Sequence, residues 1–192
     1  GVRTVVRRRT ADALVDDLAT LDAHPALEAL HPGLREALEA APDPEGFYAV
    51  PHALAWADEL ARARRLLFAA AVDVRGDDRD LADYLEQRAR DLLSNDYEAG
   101  DAAWVSGRFE RLNAEVGAYE TYDDHLLGQK AFFAVSLLVR APDASAQLAR
   151  AVAGLAGHEA ALPGGPYAPV RGEIPVGIYD VIADYGQARG GN

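Results

Sequence analysis

Glu120, Tyr122, Asp123, Asp124, His125 and the sole lysine, Lys130, fall within eleven consecutive positions of the run Asn113 to Phe133. These types can do chemistry together. A carboxylate receives an ammonium or a guanidinium through charge-assisted hydrogen bonds. A phenol is a neutral donor suited to a negative charge developing in a dry cleft. Acidic turns between strands ordinarily do no more than solvate a loop, and Asp123, Asp124 and His125 read that way, as a backbone-bonding Asx turn. Tyr119, Glu120 and Tyr122 differ because they interrupt an apolar alternation rather than lying outside it.

The elements that must hold these residues are strands on either side. Leu112 to Tyr119 and the Phe-, Val- and Leu-rich stretch Ala131 to Arg140 predict two strands, most simply antiparallel. On the first, Val116, Ala118 and Glu120 share one face, and Gly117, Tyr119 and Thr121 share the other. A carboxylate and a phenol at the end of a rigid strand pair form a candidate binding or catalytic site. The bland alternatives are that Glu120 pairs with an arginine and that Tyr122 is a core residue with a satisfied hydroxyl.

Other constellations fail on spacing. His24, His31, His52 and His125 lie in separate segments, and no two histidines stand four apart on one helix. His158-Glu159 begins like a zinc-helix motif, but Leu162 stands where the second histidine is needed, so no zinc site is complete within the chain. Ser94, Ser106, Ser136 and Ser145 sit in no Gly-x-Ser-x-Gly context. Gly164-Gly165 and Gly190-Gly191 lack the lysine and spacing of a phosphate loop.

The 192 residues are 49% hydrophobic, enough for a real core in one domain or two small ones. A net charge of −12 argues against a nucleic-acid partner, which needs a clustered basic face. The absence of cysteine removes disulfides, thiolate zinc sites and a cysteine nucleophile. No apolar run approaches the roughly 18 residues of a membrane span. No signal-peptide core is visible either, and a cytoplasmic location is favoured over a periplasmic one.

Along the chain, Val2 to Arg9 predicts a short edge strand or an arm, with Arg7, Arg8 and Arg9 finding local carboxylates. Thr10 caps a helix through Leu21. Two short helices follow, broken near His31-Pro32-Gly33. Ala41 to Val50, with Pro42, Pro44 and Gly46, reads as a loop. Pro51 opens a helix to about Val72 whose apolar face is Leu54, Ala57, Leu60, Ala61, Leu66 and Leu67. Asp77 or Asp78 caps another to Leu93, with Leu81, Tyr84, Leu85, Ala89 and Leu92 inward. Beyond Ser94 come a short helix or loop with Trp104, the strand pair, a helix capped by Asp143 or Ser145 running to about Ala161, a loop, and a third strand, Ile174 to Ala183. The expected class is α+β, predominantly α-helical with a small antiparallel sheet in the second half. The expected division is a helical region 1–93 and an α+β region 94–192.

The run Glu120-Thr121-Tyr122-Asp123-Asp124, followed by Gly128 and Phe132-Phe133, resembles the strand-turn-strand of the dipeptidyl peptidase III family of zinc metallopeptidases and its bacterial relatives. Asn95-Asp96-Tyr97, Trp104 and the tail Pro175 to Asn192 extend the likeness over residues 93–192. The resemblance implies that Tyr122 is catalytic, hydrogen-bonding the scissile carbonyl and stabilising the oxyanion, and that Glu120 is substrate-binding, receiving the free amino terminus of a peptide. It implies a zinc cofactor whose His-Glu-x-x-Gly-His motif lies further toward the C-terminus than these residues reach. The expected function is therefore the upstream, substrate-binding portion of a zinc-dependent dipeptidyl peptidase that trims peptides from the amino end. Its partners would be a peptide and the C-terminal catalytic half of the same protein, without which the chain would be inactive. The alternative is a non-catalytic α+β binding or scaffold domain of the same architecture.

Overall fold

The computed structural model describes residues 3–118, 133–164 and 177–186. Strand β1 (Thr4–Arg9) is followed by helices α1 (Ala11–Ala23), α2 (Ala26–Leu30) and α3 (Leu34–Glu39), and then by β2 (Asp43–Pro51). Next come α4 (His52–Ala55), α5 (Ala57–Val74), α6 (Arg79–Ser94) and α7 (Glu98–Ser106), the strands β3 (Leu112–Gly117) and β4 (Ala134–Arg140), α8 (Pro142–Val152), α9 (Leu155–Ala160) and β5 (Tyr179–Gly186). The architecture is α+β and mostly helical. It contains two small antiparallel sheets, β1-β2 and β3-β4-β5.

Several local rules hold as the sequence implies. Thr10 accepts the Ala13 amide and caps α1, and Asp78 accepts the Leu81 amide and caps α6. Asn95 ends α6 in the left-handed conformation at φ 60, a common way for a helix to stop. Leu81, Tyr84, Leu85, Ala89 and Leu92 of α6 are all buried.

The segment read as a loop over 41–50 is instead largely strand. Phe47, Tyr48, Ala49, Val50 and Pro51 pair with Arg8 through Thr4, and only Tyr48 and Val50 of that alternation are buried. Pro44 and Gly46 fall where the register jumps from Arg8↔Phe47 to Arg9↔Asp43, so these breakers are set aside in a bulge rather than built into the ladder. The first 93 residues are therefore not purely helical.

Two helices also depart from expectation. The one expected from Pro51 is interrupted at Trp56, whose backbone sits at φ −131, ψ 48, and Leu66 on its expected inner face is exposed. The α8 helix is not capped by Asp143 or Ser145: it starts after Ala141 with Pro142 in its first turn, and it ends at Val152, ahead of a separate α9. The Ser145 hydroxyl is used elsewhere. It accepts the Ile178 amide at 2.9 Å and donates to the Ile178 carbonyl at 3.2 Å, fixing the entry to β5.

The core has three parts. One joins α1, α2, α3, β2 and α4 through Leu14, Leu21, Leu27, Leu38, Val50 and Leu54. A second packs Ala71, Leu81, Tyr84 and Leu85 against Phe109, Ala114 and Val116, and a third gathers Leu60, Leu92 and Tyr97 with Trp56 and Phe133. The last two contain residues from both sides of position 93.

Candidate functional site

The chemistry-bearing residues singled out in the sequence, Glu120 and Tyr122 with Asp123, Asp124, His125 and Lys130, lie outside the described residues. What the structure describes is the frame on either side of them. On β3 the side chains of Ala114 and Val116 are buried, and so is Ala118 just beyond it, as the alternation predicts for a face turned to the core. The β3-β4 ladder closes on the pair Gly117↔Ala134. The frame then meets the helices at Phe133. Its ring lies 5.3 Å from the His52 ring and 5.7 Å from Trp56 at 85°, and His52 and Trp56 stand 4.8 Å apart, edge to face. Such tilted and edge-to-face contacts add about 0.5–1.5 kcal/mol per aromatic pair beyond burial. The interruption at Trp56 is what lets α4 contribute His52 and the start of α5 contribute Trp56 to one cluster.

Behind this cluster is a layer of buried charge. The carbonyl of Arg3 accepts the His52 amide at 3.3 Å and the Asn95 side-chain amide at 2.7 Å, tying the first strand to the end of α6. The Arg3 guanidinium lies 4.2 Å from the Tyr97 ring centre, and that of Arg88 lies 4.8 Å from it. Arg88 is 1% exposed; it donates to Asp101 Oδ1 at 2.7 Å and stands 3.5 Å from Asp91 Oδ2. Gln87 donates to the other oxygen of Asp91 at 2.8 Å. Burial pushes the Asp91 carboxyl above its ordinary range, against the pull of Gln87 and Arg88. Burial likewise raises the Tyr84 and Tyr97 phenols, opposed by Arg88.

The histidines among the described residues do not converge. His24 Nε2 is 3.0 Å from Asp58, His31 Nε2 is 2.8 Å from the Leu93 carbonyl, His52 is buried among rings, and His158 is on α9. Among the described residues no three His, Asp or Glu side chains are grouped to hold a metal ion. These residues therefore do not fit a zinc site. Nor is any described helix long and apolar enough to cross a membrane.

The fold itself is similar to two solved enzymes. Dipeptidyl peptidase III from Caldithrix abyssi superimposes with a TM-score of 0.65 and 28% identity over 88% of this chain and 32% of that one. Dipeptidyl-peptidase III from Corallococcus sp. strain EGB gives 0.60 and 27% over 86% and 32%. The chain has a dipeptidyl peptidase III-like fold. It spans about a third of the length of those structures. It is also 32% identical over 101 residues to Nudix hydrolase 3 of Arabidopsis thaliana, a stretch that is 53% of this chain and 13% of that protein. No family model matches the chain.

Of the residues in the sequence resemblance, Asn95, Tyr97 and Trp104 have structural work here. Asn95 caps α6, Tyr97 is buried between arginines, and Trp104 Nε1 donates to Asn113 Oδ1 at 2.9 Å, joining α7 to β3. Sequence reasoning missed the His52, Trp56 and Phe133 cluster and the buried Arg88. Arg88 left a signal: it occupies the inner stripe of α6, between Leu85 and Leu92, where an unpaired charge would be costly. The aromatic cluster left only a partial one: His52 and Trp56 stand four apart, but Phe133 is remote in sequence from both.

Proposed function

We propose that this chain is the substrate-binding part of a dipeptidyl peptidase III-like metallopeptidase, with residues 94–192 forming one wall of the peptide cleft and residues 1–93 buttressing it. The observation that carries the reading is the dipeptidyl peptidase III-like fold over most of the chain, together with a Glu-x-Tyr sequence at 120–122 directly after the buried end of β3. In this reading Glu120 receives the peptide's amino-terminal ammonium and sets the register of cleavage. Tyr122 donates its hydroxyl to the scissile carbonyl, a bond that strengthens as negative charge builds on that oxygen. The zinc ligands and the base that activates water belong to the longer protein, outside these 192 residues.

The test is peptide hydrolysis by the full-length gene product carrying Tyr122→Phe or Glu120→Gln. Loss of one oxyanion donor lowers kcat by about 100- to 1000-fold. Glu120→Gln should instead weaken discrimination between a free and an acetylated amino terminus. Turnover of Tyr122→Phe equal to wild type removes Tyr122 from the mechanism. A folded full-length protein that hydrolyses no peptide with zinc present leaves the non-catalytic binding domain as the better reading.

A further inference from the structure

Arg7, Arg35, Arg75, Arg79, Arg88 and Arg90 each stand in an ion pair, as expected where carboxylates outnumber lysine and arginine 31 to 19. Helix α5 breaks that habit. Arg62, Arg64 and Arg65 fall within four positions of it, and none of them stands in an ion pair among the described residues. Arg62 and Arg65 are exposed, and Arg64 is half-buried with its guanidinium 4.9 Å from the Phe68 ring centre. Arg90 of α6 approaches the same ring at 5.8 Å and shares its charge with Glu86 at 3.5 Å. The carboxylates of α5 itself lie toward its ends: Asp58 and Glu59 in the first turn, Asp58 turned to His24 at 3.0 Å, and Asp73 next to the last residue. Further along, the outer face becomes apolar. Positions 62, 65, 66, 69 and 72 recur at the three- and four-residue spacing of one helix side, and all five are exposed, Leu66 by 61% and Val72 by 71%. At 1.5 Å per residue the stripe is about 15 Å long. The inner face is fixed by Leu60, Leu67 and Ala71 in the core.

Arginine beside exposed leucine and valine is the composition of a protein contact, where arginine is enriched and its planar fork takes a carboxylate through two parallel bonds. The net charge of −12 decides the chemistry of the partner. A nucleic acid or an anionic membrane would be repelled by most of the surface and needs a wider basic face than one helix side. A short segment bearing carboxylates pairs locally with these arginines. Permanent interfaces are more apolar than a stripe with two large aliphatic side chains, whereas charge chiefly speeds encounter and fixes register, so the contact suits a separate, exchanging partner. We propose that the outer face of α5 docks an acidic segment of a separate protein, its carboxylates on Arg62, Arg64 and Arg65 and its apolar side chains on Leu66 and Val72.

The experiment uses the full-length gene product and a fluorescein-labelled peptide of glutamates and leucines at helical spacing. Its amino terminus is acetylated, which withholds the ammonium that the proposed Glu120 site reads. Fluorescence anisotropy should show saturable binding that weakens as salt rises. Arg62→Glu with Arg65→Glu should weaken it by about tenfold or more, because two charge pairs are lost and reversed. Leu66→Ser should weaken it as well, which attraction by charge alone does not predict. Arg111→Glu with Arg150→Glu makes the same change of net charge at two exposed arginines of other segments, and should leave the affinity within about twofold of wild type. All of these side chains are exposed, so the variants keep the fold. Equal losses from the two reversed pairs would show unspecific attraction and overturn the proposal. Undiminished binding by Arg62→Glu with Arg65→Glu, or no binding by the folded full-length protein, overturns it too. Tighter binding of a single-stranded oligonucleotide of the same charge would assign the patch to nucleic acid instead.

Discussion

Replacing Arg88 with methionine should be among the most destabilising single changes in the fold, and the structure says how the cost divides. The Arg88 and Asp91 side chains are 1% and 2% exposed, whereas that of Asp101, the other carboxylate on Arg88, is 41% exposed. The half-exposed pair with Asp101 is worth about 1 kcal/mol or less, as for surface ion pairs. Most of the loss comes from Asp91, which keeps the bond from Gln87 but loses its cation in a site that already disfavours its charge. Removing one member of a buried pair costs about 3–5 kcal/mol. The lost contacts with the Tyr84 and Tyr97 rings, at 5.4 Å and 4.8 Å, lie within that range rather than on top of it. Urea denaturation at pH 7, read as a change in midpoint at constant slope, measures the deficit. Replacing Asp91 as well, in Arg88→Met with Asp91→Leu, should recover most of it, because a well-packed apolar pair no longer buries a lone charge. The sign of the pH effect follows from the raised Asp91 carboxyl: the folded state holds the proton more tightly than the unfolded one, so stability is gained as pH falls through the folded value toward 3.8. The deficit of Arg88→Met should therefore shrink between pH 7 and pH 4. A single variant within about 1 kcal/mol of wild type, or a double variant as unstable as the sum of its parts, would refute the reasoning.

Other changes follow from the same contacts. The Tyr48 hydroxyl donates to Asp17 Oδ2 at 2.7 Å while Arg7 holds Oδ1 at 2.8 Å, so Tyr48→Phe should lower stability by about 1.5–3 kcal/mol in urea, the range for a hydrogen bond to a charged group. Burial, and then the bond to Asp17, push the Tyr48 phenol up to about 12; its contribution is complete below the unfolded value of 10 and is lost as pH rises from 10 through 12, a loss that Tyr48→Phe should not show. Gly100→Ala places a methyl group onto Asp91 Oδ2 and 3.1 Å from Arg88 Cζ, so the usual helical gain of about 0.5–1 kcal/mol from glycine to alanine should be reversed into a net loss. A Gly100→Ala variant with a thermal midpoint at or above wild type would show that Asp91 can move aside without cost.

Sequence by itself determined the elements whose rules are local. The caps at Thr10 and Asp78 are fixed by hydroxyl and carboxylate groups competing for nearby amides, and the inner stripe of α6 by the helical repeat. The antiparallel pairing of β3 with β4 was legible because two strongly patterned runs lie close together in sequence. The candidate pair Glu120 and Tyr122 was legible as a motif, and the structure contributes its frame, from Ala118 on one side to Phe133 on the other.

Tertiary structure decided what depends on remote partners. Strand β2 forms because β1, about forty residues earlier, offers a ladder that outweighs Pro42, Pro44 and Gly46; the alternation Phe47-Tyr48-Ala49-Val50 was present but masked by those flanking breakers. The stop at Trp56 has no local cause in sequence, and packing on His52 and Phe133 accompanies it. Burial of Arg88 was visible as an oddity, but its tolerance depends on Asp91, Asp101 and two tyrosine rings brought together by α6, α7 and the turn between them. A chain can announce a helix within one turn of itself. Whether a charge, an edge or an aromatic ring is paired is settled only when distant segments arrive.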